Sequence, residues 1–145
     1  MLDAPCTAEG KAQRGYLRAS SETFRAGLRQ TQRRLLEHAL RLCRPGGRIV
    51  YSTCTFADEE NERQVAWLLE DHGLLPDPVP RLEPYRSDGS LPAYRLWPHR
   101  DRSAGAFAAS LRAAPGGEPA AAAERSPAAG PSGSALGSST SGQFS

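Results

Sequence analysis

GGRIVYSTCTFADEENE, residues 46–62, decides the fold. The run from Arg48 to Thr53 is short, β-branched and aromatic, and Pro45-Gly46-Gly47 opens it, which predicts a buried strand. It delivers one cysteine, Cys54, between two threonines, and a dense acidic cluster follows. A cysteine there is either a small packing residue at a strand end or a nucleophile shown at the edge of a sheet. Asp58 is placed to cap a second helix, with Glu59, Glu60 and Glu62 in its first turn, where the macrodipole favours negative charge. Val65, Leu68 and Leu69 supply the buried face of that helix and Gly73 its stop.

Upstream, Phe24, Leu28, Leu35, Ala39 and Leu42 recur at spacings of three, four and seven, which predicts one apolar stripe of a helix over 22 to about 43. Ser20 or Ser21 caps its start, Pro45-Gly46-Gly47 ends it, and Cys43 sits beside the stripe as a core residue. Downstream, 76–92 is rich in proline and turn residues and predicts a surface loop. Tyr94 to Trp97 and Ala106 to Leu111 predict two strands joined by PHRDRSAG, with Phe107, Ala109 and Leu111 on one face. Helix, strand, helix, strand, strand indicates an α/β sheet.

From Ala113 onward the chain is almost wholly Ala, Gly, Pro and Ser, a composition that cannot bury enough apolar surface to offset ordering entropy. The expected division is a core-building domain over 1–112 and a disordered tail over 113–145. No apolar segment approaches the roughly eighteen residues of a membrane span, and no signal peptide is evident. Cys6, Cys43 and Cys54 are odd in number and widely spaced, and no CxxC or HxxxH pair occurs. Reduced thiols in a cytoplasmic protein, without a metal site, are the expectation. The net charge of +2 hides an asymmetry: ten Lys or Arg against two acids from Lys11 to Arg48, then three Arg against nine acids from Thr53 to Asp88. The basic half is either a solvated helix face or a surface for a polyanion.

MLDAPCTAEG at 1–10 begins at what looks like a strand's carboxyl end, Leu2-Asp3, followed by turn chemistry. In open α/β sheets ligands bind at that end. If one strand ends near Asp3 and the next at Cys54, the residues between form a single crossover, and connected strands usually lie side by side. Cys6 and Cys54, 48 positions apart, then emerge on the same rim.

Three motifs together resemble the RNA cytosine-5 methyltransferases of the RsmB, RsmF and NSUN group. DAPCTAEG at 3–10 is similar to that family's D-A-P-C-S-G-x-G element, and YSTCTFADEENE at 51–62 to its strand-borne Ser-Thr-Cys followed by E-N-E. RLWPHRDRSAGAFAASL at 95–111 resembles the closing R-x-x-P-H and Gly-x-Phe strand pair, and its WPH form resembles the ribosomal-RNA members of the RsmF type.

The resemblance implies the carboxyl-terminal half of a Rossmann-like class I methyltransferase fold, S-adenosylmethionine as cofactor, and RNA, chiefly ribosomal RNA, as partner. It implies that Cys54 is the nucleophile adding to C6 of cytosine and that Cys6 serves product release. Asp3 would contact the N3 edge of the base and lie beside the methyl donor, and Pro5 would shape the adjoining turn of the cofactor site. The target must be an unpaired or extruded cytosine. His99 matches the Pro-His element, where a backbone-positioning role is expected; His38 and His72 are expected on helix surfaces, and Trp67 and Trp97 in packing roles.

Thr7 and Ala8 depart from the pattern, standing where the family usually has Ser and Gly, and Ala8 removes backbone freedom at a tight turn. The family's glycine-rich loop, its acidic residues for ribose and adenine, and its first-motif lysine belong upstream of Asp3. The expectation is a fragment with an exposed apolar sheet edge, weak or no S-adenosylmethionine binding of its own, and an N-terminal half that could be a separate chain. The alternatives are a non-catalytic remnant binding RNA or a partner and, from a different class, a thiol hydrolase using Cys54 and His99, for which no oxyanion-hole loop is recognisable.

Overall fold

The computed structural model describes residues 1–10, 20–87 and 89–116. Lys11, Arg14 and Arg18 of the basic half and residues 117–145 of the expected tail lie outside the described residues.

The Arg48–Thr53 run forms β2, with the bounds the sequence indicates. Beside it, in parallel, lies the two-residue β1 (Leu2–Asp3), in register Leu2 with Tyr51 and Asp3 with Ser52. The crossover between them carries the long helix α1 (Glu22–Leu42). On the other side β2 pairs antiparallel along its whole length with β5 (Ala106–Arg112). The far edge of β5 is shared end to end by β3 (Leu75–Pro76) and β4 (Ala93–Leu96).

Register sorts the sheet's side chains. Ile49, Tyr51 and Thr53 stand opposite Leu111, Ala109 and Phe107, and all six are buried. The Tyr51 and Phe107 rings meet edge to face, with centroids 6.3 Å apart. Leu36 of α1, with Val65 and Leu68 of α2 (Glu62–Asp71), completes this core. The expected alternation of Phe107, Ala109 and Leu111 is present, and Leu40 and Cys43 pack against the same cluster.

Helix α1 starts where its cap predicts, with the Ser21 hydroxyl accepting from the Phe24 amide at 3.2 Å. Its buried stripe differs from the expected one. Phe24 and Leu42 are exposed, whereas Gln32 and Leu36 are fully buried. Periodicity counted over apolar residues misses this face because its central member is a glutamine. Gln32 is buried to hydrogen-bond the Pro5 carbonyl and Glu60. The outward apolar side of α1 instead lines a groove of about 390 Å³ with Met1, Leu2, Leu35, Ala39 and Leu42, beside β1.

The acidic cluster also differs from the expected helix start. Asp58–Glu60 form a 3₁₀ turn, and α2 begins only at Glu62, behind Asn61, whose side chain makes no capping bond. Asp58 therefore is not the cap of α2. Gly73 stops the helix as expected, in the left-handed region at φ +60. The 76–92 loop holds more structure than its composition indicates: it starts on β3 and carries a 3₁₀ segment, Pro80–Tyr85. The amide of Val79 donates to the Tyr94 hydroxyl at 2.6 Å and holds that segment to β4. A short helix α3 (Pro98–Asp101) occupies the β4–β5 connection. Among the described residues, no helix is long and apolar enough to cross a membrane.

Candidate active site

The parallel pairing of β1 and β2 brings two turns together at their carboxyl ends. The Ala4 amide donates to the Ser52 carbonyl at 2.9 Å, and the Gly10 amide to the Cys54 carbonyl at 2.8 Å, so the turn after β1 is tied at its two ends to Ser52 and to Cys54. A Cβ on Gly10 would sit 2.7 Å from the Cys54 carbonyl and 2.6 Å from that of Ala104, which explains a glycine at this close approach. Between these bonds the sulfurs of Cys6 and Cys54 lie 3.4 Å apart, both half-buried. Asp3 is exposed, and its Oδ1 accepts from the Ser52 hydroxyl at 3.2 Å. The carbonyl of Pro5 accepts from Gln32 at 2.9 Å.

Burial pushes the Cys6 thiol up to about 11; the backbone hydrogen bond at Cys54 opposes this and the Cys54 side chain adds to it. At pH 8 the thiolate form of Cys6 is thus about one in a thousand. Its alkylation by iodoacetamide, followed by peptide mapping, is expected to be slow at pH 8 and to accelerate about tenfold per pH unit toward 11. The sign for stability follows. Above 9.0 the unfolded chain loses the Cys6 proton while the folded chain keeps it, so stability falls between 9.0 and about 11. Cys6→Ser removes that part of the slope.

What holds the two turns is the triplet Glu60-Asn61-Glu62, each member of which ties down a different motif. Glu60, 1% exposed, accepts from the Thr7 amide at 3.1 Å, the Thr7 hydroxyl at 2.8 Å and Gln32 at 2.8 Å. Asn61, fully buried, accepts from the Thr53 hydroxyl at 2.5 Å and donates to the Thr55 carbonyl at 2.9 Å. Glu62 takes the guanidinium of Arg95 in a two-pronged pair at 2.7 and 2.5 Å. Arg95 also donates to the Phe56 carbonyl at 3.3 Å and lies over the rings of Trp97 and Phe107. The Thr7 hydroxyl, donating to Glu60, lies 2.6 Å from the Thr55 hydroxyl, which also reaches Glu9 at 3.2 Å. Glu9 accepts from the Phe56 amide at 3.0 Å.

The sequence indicates the two cysteines, Asp3 and Pro5, and the structure brings all four to the adjoining ends of β1 and β2. It does not indicate Glu60, Asn61, Gln32, Thr7 or Arg95 as parts of the site. A signal is present: four acids in the five residues 58–62, with a single following Arg63, make a poor solvated helix face. His99 packs 6.0 Å from Trp97 and has no hydrogen bond to Cys54, so the cysteine–histidine dyad of a thiol hydrolase is not assembled. Trp97 stacks on Phe56, and Trp67 lies between Arg33 and His72, which are packing roles. Of the basic half, Arg25 and Arg29 pair with Glu22, and Arg48 with Asp77. Among the described residues there is no cluster of three or more potential metal ligands.

Ala8 stands in the left-handed region at φ +57, where a glycine has no Cβ to strain. Ala8→Gly is expected to raise the unfolding free energy by about 0.5–1 kcal/mol, since strain relief exceeds the added unfolded-state entropy. Urea denaturation measures it.

Two thiols and a carboxylate thus stand at the carboxyl ends of adjacent parallel strands of an α/β sheet, the end at which such sheets bind ligands, and the sheet is that of a class I methyltransferase fold, as the matches that follow show. A family profile described as 16S rRNA methyltransferase RsmB/F matches residues 1–112, and the chain belongs to this family. It is 36% identical over 122 residues to ribosomal RNA small subunit methyltransferase F of Erwinia tasmaniensis, covering 77% of this chain and 25% of that protein. Against the protein of the same description from Klebsiella pneumoniae it is 44% identical over 71 residues, 48% of this chain and 15% of the other. Among solved structures it resembles NSun6 from Pyrococcus horikoshii with SFG, at TM-score 0.64 and 31% identity, covering 77% of this chain and 28% of that one. A methyltransferase homolog from the same organism matches at TM-score 0.63 and 30% identity, over 77% of this chain and 37% of that one. The chain thus spans a quarter or less of the length of these curated relatives.

Proposed function

We propose that the chain is the thiol-bearing region of an S-adenosylmethionine-dependent methyltransferase that acts on C5 of cytosine in ribosomal RNA, in a cytoplasmic setting that keeps its thiols reduced. The observation that carries the reading is the 3.4 Å approach of Cys6 and Cys54 at the carboxyl ends of adjacent parallel strands. C5 of cytosine is a weak nucleophile until a thiolate adds at C6. Cys54 is the thiol for that addition, its position fixed through the Gly10 bond to its carbonyl. Asp3 meets the N3 edge, where a proton stabilises the adduct. S-adenosylmethionine, whose analogue SFG accompanies the NSun6 relative, supplies the electrophilic methyl group when bound.

Among the described residues, those at the site fit one side of that cofactor. Asp3, exposed and with Oδ1 alone engaged, and Pro5 adjoin the methyl side. Among the described residues, clefts of about 940, 490 and 390 Å³ have none of Asp3, Pro5, Cys6 and Cys54 in their lining, so these clefts do not serve an adenosine beside them. The 145-residue chain alone is therefore expected to show no saturable S-adenosylmethionine binding below about 1 mM by calorimetry. Low-micromolar binding would show that this chain encloses the cofactor by itself.

After methyl transfer water takes up the C5 proton, the C–H electron pair re-forms the C5–C6 double bond, and the bond from C6 to sulfur breaks with Cys54 leaving as a thiolate. Cys6, kept protonated by burial, offers its S–H to the departing sulfur, which is its part in product release. A target base has to leave its stack to reach this rim.

The test is a graft of residues 1–112 into the matched region of the Erwinia tasmaniensis relative. Supplied with S-adenosylmethionine and unmodified ribosomal RNA, the graft is expected to yield 5-methylcytidine on nucleoside analysis. Methyl groups on a cytosine nitrogen, or on another base, would overturn the reading. A second reading, binding of a partner chain without catalysis, draws on the apolar groove beside β1. It predicts a folded graft with no methyl transfer, and a 145-residue chain that captures an N-terminal half supplied separately.

A further inference from the structure

The same sulfur contact has a chemistry that needs neither RNA nor cofactor. We propose that Cys6 and Cys54 are an oxidative modification site, closing to a reversible intramolecular disulfide when a hydroperoxide reaches them. The disulfide itself stands on geometry; its consequence for methyl transfer rests on the proposed function.

Two sulfurs 3.4 Å apart need only a shift of roughly 1.3 Å to reach a bonding distance of about 2.05 Å. The turns that carry them leave adjacent parallel strands, whose neighbour spacing of about 4.8 Å is inside the Cα span of about 4.4–6.8 Å that a disulfide bridges. Both turns are fixed by the Gly10 bond to the Cys54 carbonyl and by the Glu60 bonds to Thr7, so the partners are already aligned. Both cysteines are half-buried, open to a molecule as small as hydrogen peroxide. Cys43 has no such sulfur neighbour; its thiol donates to the Arg44 carbonyl at 3.6 Å.

The steps balance with hydrogen peroxide as the oxidant. The Cys54 thiolate attacks one peroxide oxygen, the O–O bond breaks, and the leaving hydroxide takes up a proton, giving a sulfenic acid and one water. The Cys6 sulfur then attacks the Cys54 sulfur, the S–O bond breaks, and the hydroxide leaves with the Cys6 proton as a second water. Two thiols lose two electrons and peroxide gains them. The product has no free thiol at position 54, so addition to a base is blocked until a dithiol reduces the bond. Cys6 thereby also shields Cys54 from irreversible oxidation to sulfinic acid.

The experiment treats the 145-residue chain with hydrogen peroxide, denatures it, caps free thiols with N-ethylmaleimide and measures intact mass and peptides. The expected result is a loss of about 2 Da, one maleimide on Cys43 in place of three, a Cys6–Cys54 crosslinked peptide, and recovery of three thiols with dithiothreitol. In Cys6→Ser and in Cys6→Ala, Cys54 is expected to stop at sulfenic acid, trapped by dimedone, or pass on to sulfinic acid. Oxidation of wild-type Cys54 to sulfinic acid without a crosslink, crosslinks through Cys43 or between chains, or Cys6 and Cys54 both still free after Cys43 has begun to oxidise would each overturn the proposal. Because the readout is mass, a chain that forms the bond but belongs to an enzyme that methylates no cytosine would sink the proposed function and leave this site standing.

Discussion

Cys54→Ala is expected to lower methyl transfer by the grafted enzyme on the order of 10⁴-fold or more, with cofactor binding unchanged. A loss of that size corresponds to about 5.5 kcal/mol of barrier, more than positioning by neighbouring groups replaces. No other described thiol can take over. Cys6 is held protonated by burial, and Cys43 sits at the far end of α1 against the core. Cys6→Ala is expected to act at a different step: addition proceeds, release slows, and a protein–RNA adduct accumulates on unmodified RNA, visible as a band resistant to denaturing gels. If Cys54→Ala kept most of the activity, or Cys6→Ala removed activity without adduct, the division of labour between the thiols would be wrong.

The largest effect on folding is expected at Glu60. Glu60→Ala leaves the Thr7 amide and one Gln32 N–H without their partner in a site 1% exposed, and should cost about 3–5 kcal/mol. Glu60→Gln keeps the shape but puts a donor where either Thr7 or Gln32 already donates, and should cost about 1–3 kcal/mol. Urea unfolding monitored by Trp67 and Trp97 fluorescence gives both values. Because Glu60 holds Thr7, next to Cys6, the glutamine variant should also slow peroxide-driven pairing of Cys6 with Cys54. A purely structural carboxylate, remote from the thiols in effect, would change stability and leave that rate alone.

The sequence shows β2 to the residue because a β-branched run between Pro-Gly-Gly and a cysteine has few other ways to bury itself. It shows β1 only through the turn that follows, since two residues carry no periodicity. The rim pairing of Cys6 with Cys54 is legible from topology alone: a crossover returning to an adjacent strand places both at one end. The α1 register is not, because Gln32 on its buried face carries no apolar signal. The acidic triplet misleads for a related reason. Glu and Asn near a helix start usually face water, and only the donors brought in from Thr7, Thr53 and Arg95, all distant in sequence or on other elements, show them to be buried. The paired use of β5's far edge by β3 and β4 is likewise set by the Tyr94 hydroxyl reaching the Val79 amide, a contact composition does not announce.

The central claim is that Cys54 is the sulfur that adds to the base while Cys6 stands beside it as a thiol. Incubating the grafted enzyme with S-adenosylmethionine and RNA containing 5-azacytidine, which prevents release after addition, then digesting and sequencing the nucleotide-bearing peptide, tests it directly. The account predicts the nucleotide on Cys54, within the peptide carrying YSTCTF, and none in Cys54→Ala. A nucleotide on Cys6, or an adduct that survives Cys54→Ala, would contradict it.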